Sequence, residues 1–192
     1  MITDRERIYN QLLVLRCRRR EDGAMEELVR HWEKRLFYYI RRLVSDEEDA
    51  CDVLQETWLK AIRGIATLRD PGVLPMWLYR IARNTAMSRL RGRYADKAMI
   101  EEEPRLRQGF DGQAGEIPDN GDSFAFEDAE QVHYGLSRIS LPHREVLTLY
   151  FLEDLSVDEI AEVLEVASGT VKSRLHFAKK ALRAVLEQEA VA

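Results

Sequence analysis

Apolar residues recur every three or four positions along most of this chain, and no stretch alternates as a half-buried strand does. From Met25 to Leu43 they fall at Leu28, Trp32, Leu36, Ile40 and Leu43, a helical stripe. Ser45-Asp46-Glu47-Glu48 then reads as a capping box in which the Ser45 hydroxyl takes the Glu48 amide. Ala50, Val53, Leu54, Thr57, Trp58, Ala61 and Ile62 continue it as one apolar face. Gly64 ends that helix, a loop with Asp70-Pro71-Gly72 follows, and a third helix is predicted from about Pro75 to Leu90. Further on, Leu141-Pro142 places proline in a first helical turn, where its missing amide costs little. Val146, Leu147, Tyr150 and Phe151 give that helix its apolar side. A second capping box, Ser156-Val157-Asp158-Glu159, opens a short helix. A turn at Glu165–Ser168 leads to a last helix from about Gly169 to Leu186. The expected fold class is all-α, with two small helical domains.

Charge divides the chain in the same places. The net charge of −5 hides 19 Lys+Arg against 14 Asp+Glu in residues 1–93, 3 against 11 in 94–130, and 7 against 9 in 131–192. The middle stretch, with Glu101, Glu102, Glu103, Pro104, Gly109, Gly112, Gly115, Pro118 and Gly121, has too little apolar surface to offset its ordering entropy. It reads as a flexible acidic linker in which only Phe110, Phe124 and Phe126 have something to pack. Its negative charge is expected to repel DNA and to weaken binding by the isolated chain. No apolar run nears the roughly 20 residues of a spanning helix, and the arginine-rich start has no secretory pattern. Cys17 and Cys51 read as free thiols of a reducing cytoplasm. His31, His133, His143 and His176 are scattered. No phosphate loop, nucleophile triad or metal-ligand cluster appears, so no cofactor, metal or enzymatic activity is expected.

Two helices carry concentrated positive charge. In the last one, Val171, Leu175, Ala178 and Leu182 form a buried stripe. From Gly169 to Arg183 there are five basic residues and no acid. With the capped helix and short turn before it, this is a helix-turn-helix pattern. Ser168, Thr170, Lys172, Ser173, Arg174, His176, Phe177, Lys179 and Lys180 are its candidate duplex contacts, early positions to base edges and later lysines to phosphate. A solvated basic face is the plainer alternative. The third helix has five arginines and no acid between Arg80 and Arg93. Leu74, Leu78, Ile81 and Thr85 mark its inner side, while Arg80, Arg83, Asn84, Met87 and Arg91 share the outer one, edged by Trp77. Arginine for backbone, an aromatic for stacking and asparagine for paired hydrogen bonds suit single-stranded DNA. Tyr79 reads as core, and Trp77 fits either the core or the face. On the second helix, Asp49, Asp52, Glu56 and Lys60 lie opposite the apolar stripe with Gln55 beside them. Acids there would repel DNA, so the face suits a protein partner, with a solvated charged face as the usual alternative.

These residues resemble a known family. Asp49-Ala-Cys-Asp52-Val-Leu-Gln55-Glu56, followed by Trp77-Leu-Tyr-Arg-Ile-Ala-Arg-Asn84, resembles region 2 of the extracytoplasmic-function (ECF) sigma factors of the sigma-70 family. Leu141-Pro-His-Arg-Glu-Val-Leu and Gly169-Thr-Val-Lys-Ser-Arg174-Leu are similar to their region 4. The resemblance covers about residues 24–93 and 131–187. It implies a region 2 helical bundle and a region 4 helix-turn-helix joined by the linker, without a region 3 domain. It further implies that Asp49, Asp52, Gln55, Glu56 and Lys60 grip the β′ clamp helices of core RNA polymerase. Trp77, Arg80, Arg83, Asn84, Met87 and Arg91 would hold the opened −10 element, and a flipped base would enter the loop at about Thr67–Pro75. The last helix would read the −35 element of promoter DNA, its domain would touch the β flap, and an anti-sigma factor would hold the protein inactive. The sequence departs from the family at Glu165, where glycine is usual, at Ala167, where a serine cap is usual and Ser168 takes over, and at Phe177 and Cys51. The competing reading is a helix-turn-helix regulator that binds operator DNA without joining polymerase. The amino-terminal half opposes it, having no receiver-like strands or phosphorylation pocket.

Overall fold

The computed structural model describes residues 4–44, 46–98 and 129–189. Among these there is no strand. The amino-terminal half holds α1 (Asp4–Arg18), α2 (Ala24–Leu43), α3 (Glu47–Gly64) and α4 (Leu74–Ala98), with 3₁₀ turns at Ile65–Thr67 and Pro71–Val73. The carboxy-terminal half holds α5 (Ala129–Arg138), α6 (Leu141–Leu147), a π turn (Thr148–Leu152), α7 (Val157–Leu164) and α8 (Ser168–Glu189).

Helix α2 forms where the stripe predicts it, and Leu28, Trp32, Leu36, Ile40 and Leu43 are all buried. Trp32 and Tyr39 both meet Tyr79 of α4 edge to face, at centroid separations of 6.0 and 5.2 Å. Each such pair is worth about 0.5–1.5 kcal/mol beyond the area it buries. Tyr79 is therefore core, as its pattern predicts. The cap of α3 differs from expectation. Asp46 is the N-cap and its carboxylate accepts from the Glu48 amide at 3.1 Å, the amide assigned to Ser45. Ser45 itself lies outside the described residues. A carboxylate at this position also suits the positive end of the helix dipole.

The apolar pattern does not predict helices α1 and α5. Helix α1 buries Leu13, Val14 and Cys17 but leaves Ile8, Leu12 and Leu15 exposed, so its apolar residues show no single side to a periodicity reading. Tertiary bonds fix it. Tyr9 Oη and Arg16 Nη1 donate to Glu27 at 2.7 and 2.6 Å, and Trp32 Nε1 donates to Asn10 Oδ1 at 3.2 Å. Helix α1 also packs against both 3₁₀ turns and so braces the loop ahead of α4. Helices α4 and α5 take residues 94–98 and 129–130 from the stretch read as linker. The acidic residues 101–128 and Phe110, Phe124 and Phe126 lie outside the described residues.

In the carboxy-terminal half the second capping box forms as expected. The Glu159 amide donates to Ser156 Oγ at 3.3 Å, and the Ser156 amide donates to Glu159 Oε2 at 2.8 Å. Helix α7 ends at Glu165, whose φ of 56° is left-handed. Ser168 does not cap α8. It is the first helical residue, Ala167 O receives the Thr170 and Val171 amides, and Ser168 Oγ donates to Asp158 at 2.8 Å. Helix α2 packs on α6 and α4 on α7, so the buried side chains of the two halves form one cluster.

Candidate nucleic-acid interface

Helix α8 presents the basic face expected of it. Val171, Leu175, Ala178 and Leu182 are buried against α5, α6 and α7, which turns the opposite side to solvent. Thr170, Lys172, His176, Phe177 and Lys180 are exposed. Ser168, Ser173 and Arg174 are half-buried, and Ser173 Oγ is engaged by Gly169 O at 3.1 Å. Lys179 departs from the face. Its ammonium lies 5.8 and 5.4 Å from the ring centres of Tyr150 and Phe151, within cation–π range. The helix-turn-helix thus offers a cationic edge centred on Lys172, His176 and Lys180.

Helix α4 is divided by its neighbours. Arg80, Asn84 and Arg91 are exposed along one side, as the outer face predicts. Met87 is half-buried against the core. Trp77 settles between the two readings: half-buried, it packs over the end of α3, where a Cβ on Gly64 would sit 3.0 Å from its ring. Glycine at position 64 is what admits the indole so near the α3 backbone. Arg83 turns away from the other arginines and donates through Nε to Glu145 Oε1 of α6 at 2.9 Å. The loop before α4 is held by its own cap, with Asp70 accepting the Gly72 amide at 2.8 Å, and Gln11 of α1 lies alongside Gly72.

On α3, Asp52, Gln55, Glu56 and Lys60 are exposed and Asp49 is buried. Arg89 of α4 bridges Asp49 and Asp52 at 3.1 and 2.9 Å, which ties the acidic face of α3 to α4. Lys60 pairs with Glu56 at 2.7 Å and donates to Thr85 at 3.1 Å. Leu59 and Ile62 are also exposed, 49% and 44%, beside Gln55. Ile62, expected on the inner stripe, turns outward instead, so this face is part apolar.

Sequence reasoning missed the charged contacts between the halves. Glu145 and Glu153 are each 3% exposed. Glu145 accepts from Arg83 and from Tyr39 Oη at 3.1 Å. Glu153 accepts from Arg35 Nε at 3.2 Å and from Tyr79 Oη. Burial pushes both carboxyls above their ordinary value, against the pull of these donors. The one hint in the sequence was a glutamate set directly against Val146 and Leu147 in an apolar run.

Comparison with known proteins gives these faces a frame. The sigma-70 region 2 family model matches residues 28–95, and the sigma-70 region 4 model matches residues 130–182. The chain is 33% identical over 182 residues to the RNA polymerase sigma-H factor of Pseudomonas aeruginosa, covering 93% of this chain and 94% of that one. It is 31% identical over 183 residues to the ECF RNA polymerase sigma-E factor of Escherichia coli K12, covering 92% and 94%. Among solved structures, the sigma factor RpoE in complex with the anti-sigma factor NepR from Bartonella quintana superposes with a TM-score of 0.68 at 22% identity, covering 86% of this chain and 98% of that one. CnrH in complex with the cytosolic domain of CnrY gives 0.63 at 21% identity, covering 93% and 97%. These last two likenesses show the fold.

Proposed function

The chain belongs to the ECF group of the sigma-70 family, and from that membership we propose how its surfaces divide the work of an RNA polymerase sigma factor. A sigma factor directs core polymerase to promoters and is a non-catalytic initiation factor. The observation that carries the assignment of duties is the presence, in one chain, of two exposed cationic helical faces and one anionic–apolar face. Helix α8 reads the −35 duplex through Thr170, Lys172, Arg174, His176 and their neighbours, with base-edge contacts from its first turns. Helix α4 holds the opened −10 strand through Arg80, Asn84 and Arg91, with Arg83 joining when it is released and Trp77 bordering the site. The loop braced by α1 receives a flipped base, whose loss of stacking costs a few kcal/mol that the pocket must return. The exposed side of α3, Asp52, Gln55, Glu56 and Lys60 with Leu59 and Ile62, grips the β′ clamp helices. Buried Asp49 serves that grip indirectly, by positioning α3 on Arg89.

In this reading residues 1–93 bind polymerase and the −10 element, 131–192 read the −35 element and touch the β flap, and 94–130 connect them, with helix ends at Ala98 and Ala129 setting the structured edges. The anti-sigma factor NepR, bound to RpoE in one structural neighbour, supports an anti-sigma partner here as well. No helix among the described residues is long and apolar enough to cross a membrane. The protein works in the cytoplasm, where polymerase is. An operator-binding regulator would not need the α3 face.

The test is run-off transcription with core polymerase on a promoter library. Wild type directs discrete starts. Asn84→Ala and Lys172→Ala each lose about 5- to 150-fold in promoter use, the range of a lost base contact of roughly 1–3 kcal/mol. Failure of the chain to associate with core enzyme would refute the assignment.

A further inference from the structure

Helix α8 carries its outward residues in two lanes. Lys172, His176 and Lys180, at intervals of four, make the cationic one. Thr170, Ser173 and Phe177, at intervals of three and four, make a second lane beside it that bears no charge.

The two lanes suit different parts of a duplex. Ammonium groups are drawn to phosphate, whose charge is the same at every base. An uncharged lane gains little there and has base edges to meet instead. The bonding state of Ser173 fits that assignment. Its hydroxyl donates to Gly169 O at 3.1 Å, so what it offers outward is an acceptor.

Phe177 stands one turn beyond Ser173, about 6 Å along the helix axis. Its ring is 45% exposed and lies outside the buried cluster of the described residues. His176 meets it edge to face at a centroid separation of 5.3 Å, which limits how the ring can turn. A lone apolar side chain is ordinary on a protein surface. This one is set in the lane that the −35 reading turns toward the bases, and its ring has neither donor nor acceptor to offer them.

Only one base feature in the major groove answers such a ring. Guanine, cytosine and adenine show hydrogen-bonding groups there, whereas thymine adds an apolar C5-methyl. Against that methyl the ring buries apolar surface. Against any other edge it strips water from donors or acceptors and replaces no bond. The same side chain therefore favours one base and rejects three.

We propose that Phe177 is a specificity-determining residue of α8, and that it selects thymine at one position of the −35 duplex by covering the C5-methyl. The proposal rests on reading α8 as the −35 helix. Position 177 is one where this chain departs from its family, so the preference belongs to this chain rather than to the family at large.

The experiment uses the full chain assembled with core polymerase, on a promoter library randomised through the −35 region. Wild type should enrich a thymine that Phe177→Ala does not, with the rest of the −35 preference retained. The substitution is at an exposed position, and circular dichroism checks that helix content is kept. Each thymine of an enriched −35 duplex, on either strand, is then replaced in turn by deoxyuridine, which lacks only the methyl. One replacement should lower run-off transcription by wild type about fourfold, the value of one buried methyl, and leave Phe177→Ala unchanged. Wild type insensitive to every deoxyuridine overturns the proposal, and so does a methyl effect of equal size in Phe177→Ala. In either event Lys172→Ala separates the failures. If it still loses promoter use, α8 remains the −35 reader and only the thymine contact falls. If it transcribes as wild type does and the library shows no −35 preference, the reading of α8 falls as well.

Discussion

Glu165 is a point where a single backbone angle controls stability. It closes α7 in the left-handed region, φ 56° and ψ 45°, at the turn of the helix-turn-helix. Its amide donates to Ala161 O, and the Val166 amide reaches the same carbonyl at 3.1 Å. The side chain is exposed. A residue with a Cβ in this region suffers contact with its own carbonyl worth about 1–2 kcal/mol. Glycine removes that contact and keeps both backbone bonds. It also widens the unfolded ensemble, which takes back about 0.4–1 kcal/mol. The net gain for Glu165→Gly is about 0.5–1 kcal/mol, or roughly 1–4 °C in Tm for a chain of this size. Charge could mimic the effect, because an acid at a helix C-terminus opposes the dipole by about 0.3–1 kcal/mol. Glu165→Ala removes the charge and keeps the Cβ, so it separates the two causes. Thermal unfolding followed by circular dichroism should place Gly above Ala and Ala at or slightly above wild type. Equal midpoints for Gly and Ala would refute the backbone argument. Duplex −35 binding should match wild type in both variants, since the turn geometry is retained.

Three further outcomes follow from the structure. A Cβ at Gly135 of α5 would lie 2.6 Å from Leu182 Cδ1 and 3.1 Å from Leu186 Cδ2. Overpacking of about 1–3 kcal/mol outweighs a helix-propensity gain of about 1 kcal/mol, so Gly135→Ala should lower the urea midpoint. Cys51 is exposed and Cys17 is buried, with burial pushing the Cys17 thiol up. Ellman's reagent should therefore titrate one thiol in the native protein, and a bulky maleimide on Cys51 should weaken association with core polymerase; unimpaired association would remove α3 from the grip. The Tyr9 hydroxyl, then Arg16, hold the Glu27 carboxyl below its ordinary value. A depressed carboxylate contributes stability above its unfolded pKa of about 4.3 and loses it as pH falls through the folded value. The Tm difference between wild type and Glu27→Gln should thus be widest near neutral pH and narrow as the pH falls below about 4.3, and a difference independent of pH would contradict the α1–α2 tie.

What the chain encodes locally could be read directly from its order of residues. The α2 stripe, the Ser156–Glu159 box and the one-sided charge of α8 depend on neighbours within a turn or two, where spacing and side-chain type suffice. Pairings across long loops were not legible. Arg83 and Glu145 are 62 residues apart and Tyr79 and Glu153 are 74 apart, so no periodicity links them. Helix α1 escaped because its apolar residues face both ways and only contacts with α2 and the 3₁₀ turns choose a side. The outward turn of Ile62 was settled in the same manner, by how α3 packs on α2 and α4. A sequence specifies which faces a helix owns; which of them meets water, and which arginine meets a carboxylate, is decided only when the helices pack, because burial and charge pairing are properties of the assembled chain.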